Sequence, residues 1–285
     1  MTLTFSQRMG LKPIDRPLQI DGMDDKLRKA LWNALTLSYW NSYEPPYHHN
    51  DALSGSNFTR FSQLYAYHHD MAIDRLPLCW SEFLGNLRKY YFGCTWHEAY
   101  GFIEFVALHG PEDFNGSTKR RDSFIGFCNN ILDHSNSAFR FVNGMIAPIS
   151  SEVEIQEIER ALHEGDKYSG VKGHLQAALG FLTGAAPNYR NSIKESISAV
   201  ETLCRHLTND PKATLGVALK NVDNKHKLEP TIKVAFEKLY GYTNDANGIR
   251  HSSMEDAPNI TSADARYMLI SCSAFVNFVI DTLRG

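Results

Sequence analysis

No two cysteines in this 285-residue chain are spaced Cys-x-x-Cys, and the five present (Cys79, Cys94, Cys128, Cys204, Cys272) are odd in number and scattered. That pattern argues against a disulfide framework or a zinc ribbon and for free thiols in a reducing cytoplasm. Phosphate-cradling turns are missing too: there is no Gly-x-x-x-x-Gly-Lys-Ser/Thr loop and no Gly-x-Gly-x-x-Gly, which disfavours an ATPase or a dehydrogenase. A Gly-x-Ser-x-Gly elbow is absent, so a serine hydrolase lacks its nucleophile. His97-Glu98 is not completed to His-Glu-x-x-His, because position 101 is Gly. The pairs His48-His49 and His68-His69-Asp70 set neighbours about 100° apart on a helix, where one ion needs ligands at i and i+4. Neither a metal nor a cofactor is expected.

Charge of one sign is also lacking. With 29 basic and 32 acidic residues the net charge is −3, so any RNA must be held by a local patch. Six lysines from Lys212 to Lys238 against Asp223, Glu229 and Glu237 make a weak one. Lys119-Arg120-Arg121, after Gly116-Ser117-Thr118, reads as a solvated loop. No stretch reaches the roughly 20 apolar residues of a membrane span, and no basic start leads into an apolar run. A cytoplasmic protein without a membrane partner is expected.

What is plentiful is apolar and aromatic material, 43% and 12% of the chain, ample for one large or two medium domains. Much of it falls at helical spacing. Leu27, Leu31, Ala34 and Ser38 mark a helix over 24–43. Phe83, Leu87 and Tyr90 form a second stripe, Trp96, Tyr100, Ile103 and Ala107 a third, and Phe124, Phe127, Cys128 and Ile131 a fourth. Asn143-Gly144 between two short apolar runs is the dipeptide of a type I′ turn and predicts a β-hairpin. Ser151 with Glu154 is then a helix-opening capping box, so a domain seam is expected near residue 150. Beyond it Val171 to Leu182, Ile193 to Leu207 and Ile232 to Leu239 read as helices, the last two opened by Pro187 and Pro230. A final helix begins at Thr261 with Asp264 as box partner. It is apolar nearly all round, so it must be buried on more than one side, and a symmetric dimer would cover the excess, with Val276 as a residue to test.

Directly ahead of that helix stands Asn247-Gly248-Ile249-Arg250-His251. An Arg beside a His offers a phosphate clamp and a proton-transfer group in one place. The plainer alternative is that both favour the dipole at the carboxyl end of the preceding helix, which Gly248 would mark. Glu201, flanking the stripe of Ile197 and Cys204, either reaches inward to an Arg or pairs with Arg205 at i, i+4.

The tracts Tyr240 to His251 and Asp264 to Phe275 resemble the end of a HEPN domain from the abortive-infection, AbiJ-like group. Residues 5–13 and 18–25 resemble the small domain found in front of such HEPN domains. The resemblance implies a mostly α fold: an AbiJ-like helical domain over 1–150 ending in the hairpin, and a HEPN-like antiparallel helical bundle over 151–285. It implies an antiphage, toxin-type RNA endonuclease without a metal, acting as a homodimer through the bundle, with RNA as substrate and a phage- or operon-encoded protein as partner. Arg250 would bind the scissile phosphate and His251 would move the proton, with Asn247 in support. The family places a second His four to six residues after the Arg, where this chain has Met254-Glu255-Asp256-Ala257. Either His251 takes over that role, with Glu255 or Asp256 as substitutes, or the domain is a catalytically inactive regulatory, sensor or antitoxin-like module.

Overall fold

Asp24 opens helix α1 (Asp25–Ser38) by accepting the Leu27 amide at 2.6 Å, the bond that satisfies an otherwise orphaned N–H at a helix start. The computed structural model describes residues 17–46, 50–111, 118–183, 186–210, 230–244 and 260–284, with positions 5, 9 and 217. The described chain is mostly helical with one two-stranded antiparallel sheet, and it divides into two compact units, Met1–Ser150 and Ser151–Gly285.

In the first unit α1 is followed by α2 (Thr59–His68), α3 (Trp80–Gly93), α4 (Trp96–His109) and α5 (Lys119–His134). α1 buries Leu27, Leu31, Trp32, Ala34 and Leu35 but stops five residues short of the expected Tyr43. Tyr39 leaves helical geometry (φ −125°, ψ −58°) and the chain tightens into a 3₁₀ turn, Trp40–Ser42. That turn points Tyr39 and Trp40 into the core, and burying each such ring is worth about 1.5–3 kcal/mol. Trp40, Phe58, Phe61, Trp80 and Phe83 then pack ring against ring, Phe58 and Trp80 at 4.4 Å.

Three sequence expectations are corrected here. The inward residue of α3 is Tyr91, fully buried, while Tyr90 is half-buried. On α5 the inward row is Phe124, Cys128 and Leu132 at strict i, i+4, which turns Phe127 outward to 40% exposure. Lys119-Arg120-Arg121 is the first turn of α5 rather than a loop. Three cations there oppose the helix dipole, and Arg120 reaches away to the Ser42 hydroxyl at 2.9 Å and the Pro111 carbonyl at 3.4 Å.

The hairpin forms as expected. Asn143 (φ 49°) and Gly144 (φ 81°) both take positive φ, and β1 (Arg140–Val142) pairs with β2 (Met145–Ala147) in the register Phe141 to Ile146. In that register the backbone groups of Phe141 and Ile146 face away from the partner strand. Helices supply what the sheet cannot. Asn129 on α5 accepts the Phe141 N–H at 2.7 Å and donates to its carbonyl at 3.1 Å, while Glu104 on α4 accepts the Ile146 N–H at 2.7 Å. A lone two-stranded hairpin is marginal in water; this one is held at both edges.

The second unit comprises α6 (Glu152–Gly165), α7 (Val171–Thr183), α8 (Tyr189–Thr208), α9 (Pro230–Asn244) and α10 (Ser262–Arg284). Ser151 caps α6 and Pro230 opens α9 as expected. Pro187, however, stands two residues before α8, whose cap is Asn188, accepting the Asn191 amide. The Ser192 hydroxyl donates to the Ala178 carbonyl and His174 meets Glu195, so α7 and α8 run antiparallel. α10 is buried on several sides, by Leu269, Cys272, Phe275, Val276 and Ile280 among others. Against α6 it is fastened at three levels. The Asn277 amide donates to the Glu157 carbonyl at 2.9 Å and carboxylate at 2.7 Å, Arg160 pairs with Asp281, and Arg284 pairs with Glu164. Against the expectation that no stretch is long and apolar enough, α10 could cross a membrane by length and composition, with 23 residues and a mean hydropathy of 1.2 over its apolar window; 56% of that window is buried inside the unit.

Candidate functional site

The reciprocal box expected at the start of α10 is present. Thr261 donates to Asp264 Oδ2 through its backbone N–H at 2.8 Å and its hydroxyl at 2.7 Å, and these bonds hold the Asp264 carboxyl below the usual range. Arg250, His251, Asn247, Glu255 and Asp256, in the chain just ahead of that cap, lie outside the described residues. Glu201 is described. On α8 it is only 8% exposed, and its carboxylate lies 3.6 Å from Arg205 at i, i+4. Glu201 thus pairs locally with Arg205 and is nonetheless drawn into the apolar stripe beside Ile197 and Cys204.

The thiols of that unit are poor nucleophiles, because the charged form is disfavoured in an apolar setting. Burial, with the Glu201 charge adding, pushes Cys204 up to about 12, and burial does the same to Cys272. A narrow apolar cleft between α8, α9 and α10 is lined by Ile197, Val200, Phe236, Leu239, Met268 and Cys272, among others. Two histidine contacts in this unit carry no sequence signal, since each joins separate parts of the chain. His174 Nδ1 meets Glu195 Oε2 at 2.7 Å, and His206 Nε2 meets the Ser169 carbonyl at 2.9 Å.

In the first unit, His68-His69-Asp70 is a helix ending. Asp70 takes the left-handed conformation (φ 51°), its N–H bonds the Tyr67 carbonyl at 3.3 Å and the Met71 N–H bonds the Ala66 carbonyl at 2.8 Å, the two bonds of a Schellman cap. The histidine rings pack: His68 stacks on Phe105 at 4.7 Å, and His69 lies 4.2 Å from Tyr65 and 4.8 Å from Tyr90. Burial, then the neighbouring His68, lowers the pKa of His69; burial, His68 and Arg60 lower that of His109. His97-Glu98 is explained by helix chemistry as well. Glu98 Oε2 accepts the Thr95 N–H at 2.8 Å and its hydroxyl at 2.7 Å, a capping box at the start of α4 that the sequence carries as Thr95-x-x-Glu98 and that the pattern reading passed over. His48 and His49 lie outside the described residues. Among the described residues no three His, Cys, Asp or Glu side chains converge as a metal site would require.

Sequence reasoning also missed an open cleft of this unit, bounded by the end of α3 and the start of α4 and lined by Asn86, Lys89, Tyr90, Gly93, Cys94 and Glu98. Asn86, Lys89, Tyr90 and Gly93 fall at helical spacing on α3, but the addition of Glu98 from α4 depends on how the two helices meet.

No curated protein and no solved structure matches the chain. Residues 3–164 match the family described as AbiJ N-terminal domain 4. The matched span runs past the division between the compact units and takes in α6, although the bonds of Glu157, Arg160 and Glu164 tie that helix to α10. With more than half of its length in that match, the chain belongs to the AbiJ N-terminal domain 4 family, an abortive-infection family.

Proposed function

We propose that the chain is an abortive-infection RNA endonuclease that needs no metal, works in the cytoplasm and assembles as a homodimer through its second unit. The observation that carries the reading is the family match over residues 3–164 in front of a unit whose described elements are all helices. Just before the last of these helices the chain sets Arg250 beside His251. A guanidinium grips two phosphate oxygens and stabilises the charge that grows on them. The neighbouring imidazole takes the proton of the ribose 2′-hydroxyl, whose oxygen bonds to phosphorus as the bond to the 5′-oxygen breaks. The departing 5′-oxygen receives a proton, leaving a 2′,3′-cyclic phosphate and a 5′-hydroxyl. Asn247, Glu255 and Asp256 are the polar groups of the same tract, and Glu201 supplies a shielded carboxylate able to orient a guanidinium. Along α10, Tyr267 at 59% exposure with half-buried Ile270, Ala274 and Phe278 is the stripe open to a second copy. A phage- or operon-encoded protein is the proposed partner of the first unit.

Purified protein should cleave RNA in the presence of EDTA and leave cyclic phosphate ends. Arg250→Ala and His251→Ala should each slow cleavage about 10²-fold or more. If His251→Ala stays near full rate while Arg250→Ala fails, the proton carrier is another residue, and Glu255 and Asp256 come next. A second reading, a catalytically inactive HEPN-fold regulator, sensor or antitoxin-like module, is favoured by Met254-Glu255-Asp256-Ala257 standing where the family carries its second His. Absence of cleavage, together with no growth arrest on overexpression, would select it.

A further inference from the structure

The cleft at the α3–α4 corner is a shallow one, widely open to solvent, and offers about 470 Å³, room for a small molecule lying on the surface. Its walls differ in chemistry. On α3, the Asn86 amide and the Lys89 ammonium are exposed, one helical turn apart, with no hydrogen bond or ion pair to a described residue. On α4, Glu98 is already positioned. Both bonds from Thr95 fall on Oε2, they hold the carboxyl below its usual range, and Oε1 takes no hydrogen bond from a described residue. Between the walls Tyr90 rests against His69 at 4.8 Å and Phe102 at 6.0 Å, and its hydroxyl has no partner among the described residues. Nothing stands within 4 Å of where a Gly93 side chain would begin, so the rim stays low. The Cys94 thiol donates to the Tyr91 carbonyl at 3.3 Å, and burial raises its pKa, which leaves the cleft suited to binding rather than to thiol chemistry.

A simple anion would meet the Glu98 carboxylate and a simple cation would meet Lys89. The ligand that satisfies both walls carries an anionic group, a planar ring and hydroxyl donors on one compact frame. We propose that this cleft binds a ribonucleotide, with its phosphate on Lys89, its base against Tyr90 and its ribose hydroxyls on Glu98, where a fixed carboxylate is a suitable acceptor for the diol. The site is built from first-unit residues alone and uses neither Arg250 nor His251, so the proposal stands or falls independently of RNA cleavage.

Calorimetric titration of the full chain with each of the four ribonucleoside 5′-monophosphates should find one bound per chain. The matching nucleosides and the 2′,3′-dideoxynucleotides should bind more weakly. Lys89→Ala should weaken the nucleotide about tenfold and leave the nucleoside unchanged; Glu98→Gln should erase the preference for ribose over dideoxyribose, also about tenfold. Gln keeps a capping acceptor at that position and Lys89 is exposed, so both variants retain the fold, which a melting curve checks. The proposal stands only if a ribonucleotide binds and both discriminations move; no binding at millimolar concentration, or a discrimination that survives its substitution, overturns it.

Discussion

Gly110 has no room for a side chain. A Cβ built there would fall 2.6 Å from the edge of the Tyr39 ring and 2.6 Å from the Val106 carbonyl. Tyr39 cannot retreat, being 2% exposed and set edge-on against Phe124 at 5.1 Å. Its φ of −56° suits any residue, so the constraint is steric rather than conformational. Gly110→Ala is therefore expected to cost about 1–3 kcal/mol through overpacking, read as a lower urea midpoint with an unchanged slope; an unmoved midpoint would refute the account. Single residues also revise the apparent chemistry of the histidine pairs. Asp70 is where it is because a left-handed cap favours a short polar side chain, and Glu98 because a helix start needs an acceptor.

At the scale of elements, α10 decides what a dimer test means. Val276 was the position singled out from the sequence to weaken a dimer, but it is fully buried inside its own unit. A carboxylate there would have no partner, and Val276→Glu is expected to unfold the unit at a cost of about 4 kcal/mol or more, seen as loss of helical circular dichroism on mild heating. Tyr267→Glu asks the dimer question instead, since that side chain is 59% exposed. It should leave the melting curve in place and shift light scattering from dimer to monomer. A dimer that persists in Tyr267→Glu would move the proposed interface off this stripe.

Across the first unit, two imidazoles couple folding to pH. His69 and His109 have folded pKa values below the ordinary 6.5, so the unfolded chain binds protons more readily than the folded one. Their contribution to stability is whole above about 6.5 and is lost as pH falls below it. Glu104 acts in the opposite sense, because burial raises its pKa and the folded state holds its proton more tightly. The melting temperature should decline between pH 7.5 and 5.5, and His69→Gln with His109→Gln should flatten the decline; an equal slope in the double variant would show that other groups set it.

Much of this fold was legible in the chain, and the reasons are local. Apolar residues at helical spacing announce α1, α4, α6, α7 and α8. Asn143-Gly144 announces the hairpin because few residues tolerate two consecutive positive φ values, and Thr261 with Asp264 announces the start of α10 because the box closes within three residues. What failed was the choice of face: Tyr90 against Tyr91, and Phe127 against Leu132. One step along a helix rotates a side chain by about 100°, and only the neighbouring elements decide which side becomes the core. The halt of α1 at Tyr39 is of the same kind, since two rings leave the helix for an aromatic core assembled from distant segments. Contacts such as His174 with Glu195 join different helices and leave no periodic trace. The sequence by itself therefore determined the elements, their caps and the family resemblance, all written within a few turns of chain; the tertiary structure alone decided burial and which polar groups meet across helices, because both depend on the angle and face at which helices pack.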